Sequence, residues 1–514
     1  MDIYAFLWFP GLFPWCRLSF RSKVLYPPFR YIPCLSMIPS RGCHIYVWKM
    51  IILLYLALLF ISQTEGESAA PSLWYKGALF GANVQLPHTC IHFPLLMDGL
   101  QSRPPEAYEA SRSSARAVEV VRDRLRKAWK YDPDFFLKFF PIDNRIRKIY
   151  EENGNELRHR NRWKGIPSEP KTVSQLYTPL NNLLNDILQI LSLFEDARRF
   201  LNTSRKRVCP NLKFPIWPPL FLAGAGRSFV CTPVNRPLPE YALGISTLEV
   251  RLEKQDEAPA RDRLATIMQQ MFLYQYNRRY AFGLVISQQT LTIHMFDRSG
   301  VVSSPSIDYH AHPNQFCAII AGLASMEEAR LGLDTTMSRD GFRGVVRTRE
   351  VVGKAGMKDV EYILRSTLYY ASDLVGRGTI CFAAYEEAAP KTLYVIKDSW
   401  FATGDLEGKE SEASLIAHAH NQGVSKGIPR IRHAEDVKIK GLDGRIGVDT
   451  ILNIRQDHSN DHPQLERVHR RLLMSPCGKP LNQFSNRREL LLAYHDAVQG
   501  VSGVMTGNSS HHGF

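Results

Sequence analysis

Between residues 368 and 398 three apolar runs, 368–375, 380–385 and 393–398, alternate with turn-forming residues, and the third contains Tyr394-Val395-Ile396-Lys397. Short apolar runs bounded by glycine and proline are the pattern of strands. The chain must therefore build a sheet that carries an ammonium in or beside its interior. A buried lysine is costly unless a charge or a phosphate meets it, whereas an edge strand would leave the lysine in solvent. Gly376-Arg377-Gly378-Thr379 lies between the first two runs. Glycines there let backbone amides approach phosphate oxygens without a Cβ clash, although a hairpin turn also wants glycine. Past a loop, residues 409–420 read as a helix, on which Glu412 either faces back to Lys397 or stands in solvent.

Composition narrows the class. The 514 residues carry a formal charge of +14, 45% hydrophobic and 22% charged residues, which excludes a disordered chain, a collagen and a polytopic membrane protein. Nine cysteines without a CxxC pair are too sparse for a disulfide scaffold and give no zinc pattern. The first 49 residues hold six Lys/Arg and one Asp, so this leader supplies +5 and leaves +9 over the other 465. No specific nucleic acid is therefore expected as a partner; a basic nucleic-acid binder built on the Arg-rich helices is a remote alternative. Residues 50–61 are 12 consecutive apolar residues, short for a membrane span but long enough for a signal-peptide core. The expected location is intracellular, with a membrane or secretory location through 50–61 as the alternative.

Elsewhere the periodicities assign elements. Within 106–150, Val118, Val121, Leu125 and Ala128 form a helical stripe. Thr178 and Pro179 suit an N-cap and first helical position, followed by a core face of Leu180, Leu183, Leu184, Ile187, Leu188, Leu191 and Phe194. Seven prolines in 210–240 read as a connector. Strands are expected at 248–252, 280–286 and 291–296, and helices at 261–274 and 316–331. Asp297-Arg298-Ser299-Gly300 suits a type I turn, which explains Asp297 without a catalytic role. His418 and His420 should point to different helix faces, and His458, Asp461 and His462 fall in a polar insertion.

The order strand, glycine loop, strand, strand lysine, helix glutamate is that of a protein-kinase N-lobe. The words LVGRGT (374–379), VIKDSW (395–400), GIPRI (427–431), LMSPCGKPL (473–481) and NRRELLLAYHDAV (486–498) resemble the fungal-type protein kinase family. The upstream RRYAFGLVISQQTLTIHMFDRSGVV (278–302) and GLDTT (332–336) are similar to what precedes the lobe in that family. The resemblance is strong over 278–337 and 368–499. It implies that Gly376, Gly378 and Thr379 cover ATP phosphates, that Lys397 grips them and that Glu412 fixes Lys397. It further implies that Val375 and Ile396 border the adenine and that Met474 and Ser475 belong to the last N-lobe strand and hinge. The third glycine of the general kinase loop is absent, with Cys381 in its place.

The fold expected is α+β: a mostly helical N-terminal region with a β-hairpin element, then a kinase-like N-lobe of antiparallel sheet plus helix lacking most of the C-lobe. The divisions expected are a leader (1–70), a helical region (106–209), the connector (210–240), an α+β region (241–340), the lobe with its following helix (366–499) and a tail (500–514). The family activity implied is ATP-dependent phosphorylation of protein Ser/Thr. No HRD and no DFG occurs, and Val468-His469-Arg470-Arg471 precedes the hinge rather than following it. Phosphoryl transfer needs both aspartates, so this chain is expected to be a truncated, inactive relative that contacts ATP without magnesium. A pseudokinase-like binding or scaffold protein, with protein partners unspecified, is the alternative. The helix over 486–499 is expected to expose Leu490, Leu491, Leu492 and Ala493.

Overall fold

The run 280–286 is apolar throughout and the run 290–297 follows it after three intervening residues, and both are buried strands in the middle of a sheet. The computed structural model describes residues 114–193, 198–205, 216–224, 226–229, 241–340, 343–351, 356–403, 411–425, 427–441, 444–457, 466–479 and 483–509. All belong to one compact unit. The leader, the apolar run 50–61, Phe194, and the histidines at 458, 462, 511 and 512 lie outside the described residues.

The helices are α1 Ser114–Leu125, α2 Phe135–Phe139, α3 Asn144–Asn153, α4 Ser174–Ile190, α5 Glu257–Tyr274, α6 Pro313–Ser325, α7 Glu412–Asn421, α8 Ile451–Arg455 and α9 Arg487–Ser509. The first sheet contains β1 Trp129–Tyr131, β4 Phe200–Asn202, β5 Leu220–Ala223, β6 Gly244–Val250, β7 Tyr280–Ile286, β8 Thr290–Asp297, β9 Gly300–Ser303 and β10 Ile307–Asp308, with β2 Arg158–His159 and β3 Arg162–Trp163 pairing as a separate hairpin. Its order is β1-β9-β8-β7-β6-β5-β4, with β10 on β8. β6 and β7 run parallel and α5 makes the crossover between them. The second sheet contains β11 Met337–Asp340, β12 Arg343–Val351, β13 Met357–Tyr370, β14 Ile380–Tyr385, β15 Tyr394–Ala402, β16 Arg430–Asp436 and β19 Arg467–Ser475; β17 Lys438–Lys440 and β18 Ile446–Val448 pair apart from it. Its order is β11-β12-β13-β14-β15-β19-β16, antiparallel throughout.

The mixed α and β content agrees with expectation, and α1–α4 hold more residues than the short strands β1–β4 around them. Strands from residues 129–131, 200–202 and 220–223 join the five within 244–308 in one eight-stranded sheet. The prolines of 210–240 concealed β5, which is buried between β4 and β6. Because Pro218 and Pro219 precede that strand, they remove no donor from it. The second sheet begins at Met337 rather than near 366, because β12 and β13 are two-faced strands whose charged residues, Glu350 excepted, point outward. The helix expected from Thr178 starts at Ser174, with Pro179 inside it. Gln175 accepts hydrogen bonds from the N–H groups of Lys171 and Thr172, and Leu176 is fully buried, so the added turn is anchored despite the donor that Pro179 lacks.

The turn at Asp297 forms as expected: its carboxylate accepts the Ser299 N–H at 2.7 Å, and Gly300 has φ +138°, passing so close to the Ala128 carbonyl that a Cβ would collide with it. One hydrophobic cluster runs from α4, α6 and the first sheet to Trp400, Ile451 and Ile454 of the second sheet and its insertion.

Candidate functional site

Strand alternation divides the side chains of the second sheet between two faces. β15 pairs with β14 and β19 so that Cys381 and Leu472 flank Lys397, while Phe382 and Leu473 flank Ile396. Residues opposite each other in an antiparallel ladder share a face. Val395, Lys397, Cys381, Leu472 and Met474 therefore face α7, and Ile396, Asp398, Trp400, His469, Arg471 and Leu473 face the other way.

Lys397 is 5% exposed, and its Nζ donates to both oxygens of Glu412, at 2.7 and 2.6 Å. The Ser411 hydroxyl caps α7 by accepting the Ser414 N–H, which fixes Glu412 as the first residue of the helix. A carboxylate in that turn is favoured by the helix dipole, so α7 presents Glu412 at little electrostatic cost. Glu412 is itself about one-third exposed, leaving one side of the pair open to a ligand. A cavity of about 210 Å³ adjoins Glu412, bounded by Phe401, Glu435, Asp436, Arg470 and Leu472.

The apolar wall on this face differs from the one expected. Ile396 points into the opposite core with Phe382 and Leu473, fully buried, because it is one residue from Lys397 on an extended strand. Val395, Cys381, Leu472 and Met474 form the wall instead, with Ala413 of α7 against it. Burial pushes the Cys381 thiol up to about 12 against the opposing pull of Lys397, so it serves as a neutral apolar group. Met474 lies on the expected face and Ser475 ends the strand. Counting two residues back from the lysine, rather than one, would have identified Val395.

The glycine loop is held from behind. Gly376 and Gly378 have φ +123° and +49°, conformations that disfavour other residues. The Gly376 N–H donates to the Arg298 carbonyl at 2.8 Å, which commits that amide and removes it from phosphate binding. The Arg298 guanidinium donates to the carbonyls of Asp373 and Leu374 and lies where a Cβ on Gly378 would be. Gln269 donates to the Ser372 carbonyl at 2.7 Å, and the Trp400 N–H to that of Arg377 at 2.7 Å. Leu374 is buried with α1 and α5, and Val375 packs beside it, so Val375 borders the first sheet rather than the Lys397 face. Thr379 is buried at the entry to β14. Burial lowers the Arg298 pKa to about 10.

Behind Lys397, on the opposite face, lies a buried ion-pair network. Arg471 donates to both oxygens of Asp398 at 2.8 Å and to Asp334 at 2.9 Å. His469 lies 3.1 Å from Asp449, which Arg279 of the first sheet also binds, and stacks on Trp400 at 4.8 Å. Burial opposes protonation of His469, but Asp398 and Asp449 outweigh it and hold the pKa up to about 9. Burial alone would raise Asp398, yet Arg471 and His469 hold it well below the ordinary carboxylate range. Asp334, Asp398 and His469 bring potential ligand atoms within 4.8 Å of one another. Arg471 already neutralises both carboxylates and His469 is protonated, so these donors suit an ion-pair network better than a cation. A second buried pair joins Arg455 of α8 to Asp297, at 2.7 and 2.8 Å. The partners of Asp297, Asp398 and Asp449 are distant in sequence, and no local pattern announces them.

His420 bonds the Pro429 carbonyl at 2.9 Å rather than joining His418 in a cluster. Among the described residues no helix is long and apolar enough to cross a membrane.

A lysine clamped by a helix glutamate, on an antiparallel sheet whose β13–β14 loop carries two positive-φ glycines, defines a kinase-like lobe. The family model described as fungal protein kinase matches residues 242–512, more than half of the chain, and the chain belongs to that family. The match begins within the first sheet, so the family includes part of that sheet as well as the lobe. No curated protein and no solved structure matches the chain.

Proposed function

We propose that the second sheet and α7 form an ATP-binding lobe in which Lys397 contacts the phosphates and Glu412 orients it. Val395, Cys381 and Met474 supply the apolar surface for the adenine, and the backbone near Ser475 supplies its polar contacts. The Lys397–Glu412 bridge carries this reading: a nearly buried ammonium held by a carboxylate about one-third exposed is poised to meet an incoming anion. Gly376 and Gly378 act through the shape of their turn, Gly378 being pressed against the Arg298 guanidinium on the face opposite Lys397.

The family's implied activity is phosphorylation of protein Ser/Thr, which requires an aspartate to position the hydroxyl and another to hold magnesium. These 514 residues contain neither HRD nor DFG, so nucleotide is bound without transfer, as in a pseudokinase. Titration with ATP, followed by the melting temperature, tests the binding: a saturable rise is expected in the parent and none in Lys397→Met. No rise in the parent would end this reading. Radiolabelled phosphate transferred by the parent and lost in Lys397→Met would overturn the claim of binding without transfer.

A further inference from the structure

A second site lies away from Lys397, at the carboxyl end of β6. There β6 and β7 run parallel and α5 departs, the position at which α/β sheets commonly hold ligands. A cavity of about 720 Å³ opens between this strand end, the first turns of α5 and the flank of α4. That volume is within the usual range for small-molecule sites. Tyr177, Trp217, Pro219 and Val250 give it an apolar and aromatic wall.

Glu249 is the unusual group here. It is 4% exposed, lines the cavity, and its Oε1 has no hydrogen-bond partner among the described residues. Its Oε2 accepts only the Arg263 Nε, at 3.3 Å. Arg263 is 45% exposed, and among the described residues its two Nη groups make no hydrogen bond. Arg251, the other cation of the cavity, is already engaged by the carbonyls of Leu252, Glu253 and Gln255. Asp256 caps the Ala258 N–H. Burial raises Glu249 to about 7 and outweighs the one guanidinium beside it, Arg263.

An unused acceptor thus sits next to unused guanidinium donors, beside an aromatic wall. A ligand of single charge satisfies one and leaves the other unmatched, and a metal cation would face Arg263. The complement is a molecule whose own ammonium and carboxylate are adjacent. We propose that this cavity binds a free α-amino acid with an apolar side chain. Its ammonium donates to Glu249 Oε1, its carboxylate accepts from Arg263, and its side chain packs on Tyr177 and Trp217. A peptide terminus carries only one of the two charges and is not accommodated.

Calorimetric titration of the full chain at pH 8 with L-leucine, L-phenylalanine and L-tryptophan tests the proposal. Saturable binding by at least one is expected. For the phenylalanine pair of analogues, phenethylamine and 3-phenylpropionate, each should bind at least about tenfold more weakly, since each abandons one charged hydrogen bond. Glu249→Gln and Arg263→Gln should each abolish binding, with melting curves verifying the fold of both. Lys397→Met should leave it intact, which separates this site from the ATP-binding reading. Affinity should fall as pH drops below 7, when Glu249 becomes protonated. Absence of binding by all three amino acids, equal binding of either analogue, or unchanged binding in a folded Glu249→Gln protein would each overturn the proposal.

Discussion

Lys397, Arg298 and Arg471 are three buried or nearly buried cations with different duties. Lys397 faces the proposed nucleotide, and replacing it by methionine should weaken ATP binding at least about tenfold through loss of a charged contact. Isothermal titration measures this. Arg298 ties the glycine loop to the first sheet through two carbonyls and a backbone acceptor. Arg298→Ala should raise hydrogen exchange across 372–379 while leaving β7 and β8 protected, at a stability cost of about 1–3 kcal/mol. Arg471→Met removes the common partner of Asp334 and Asp398, leaving Asp398 with His469 and Asp334 with Thr336 and no buried guanidinium between them, for a loss of about 3–5 kcal/mol in denaturant unfolding. His469 adds a pH dependence. Its pKa rises on folding, from about 6.5 in an unfolded chain to about 9. Its contribution to stability is therefore complete below about pH 6.5 and disappears as pH rises through about 9. Urea midpoints should fall across that window in the parent and flatten in His469→Gln.

At the scale of elements, what was legible followed from local chemistry. The strands at 280–286 and 290–297 and the turn at Asp297 each depend on residues within about one supersecondary unit, whereas the Lys397–Glu412 partnership comes from the family resemblance, the residues alone leaving Glu412 in solvent as the alternative. The short strands β1, β4 and β5 were not legible, because three or four residues carry too little periodicity and their place is set by the sheet they join. Assigning Ile396 to the site missed the alternation that turns it away. The helix α9 also departs from expectation. Leu492 is 48% exposed, but Ala493 is buried and Leu490 and Leu491 are half-buried, since α9 packs against α7. Leu492→Ser should accordingly leave the melting temperature nearly unchanged, whereas Ala493→Asp should lower it by placing a charge in the α7–α9 contact.

For the whole molecule, the two sheets share a hydrophobic cluster and two sets of buried ion pairs, Arg279–Asp449 and Arg455–Asp297. Residues 337–514 produced alone would expose Trp400, Ile451 and Ile454 and leave Asp449 without Arg279. That fragment should be insoluble or bind an apolar dye, while residues 91–514 should melt in a single calorimetric transition. The same seam has a mechanical corollary. Leu333 bridges to Arg278 just before β7, Asp334 belongs to the network under β15, and β11 starts at Met337, so three residues separate that bridge from the second sheet. The first sheet behaves as a stator: it leaves the second sheet no axis about which to rock, so on the proposed ATP-binding reading any breathing around the ligand comes from α7 or from backbone beyond Ser475.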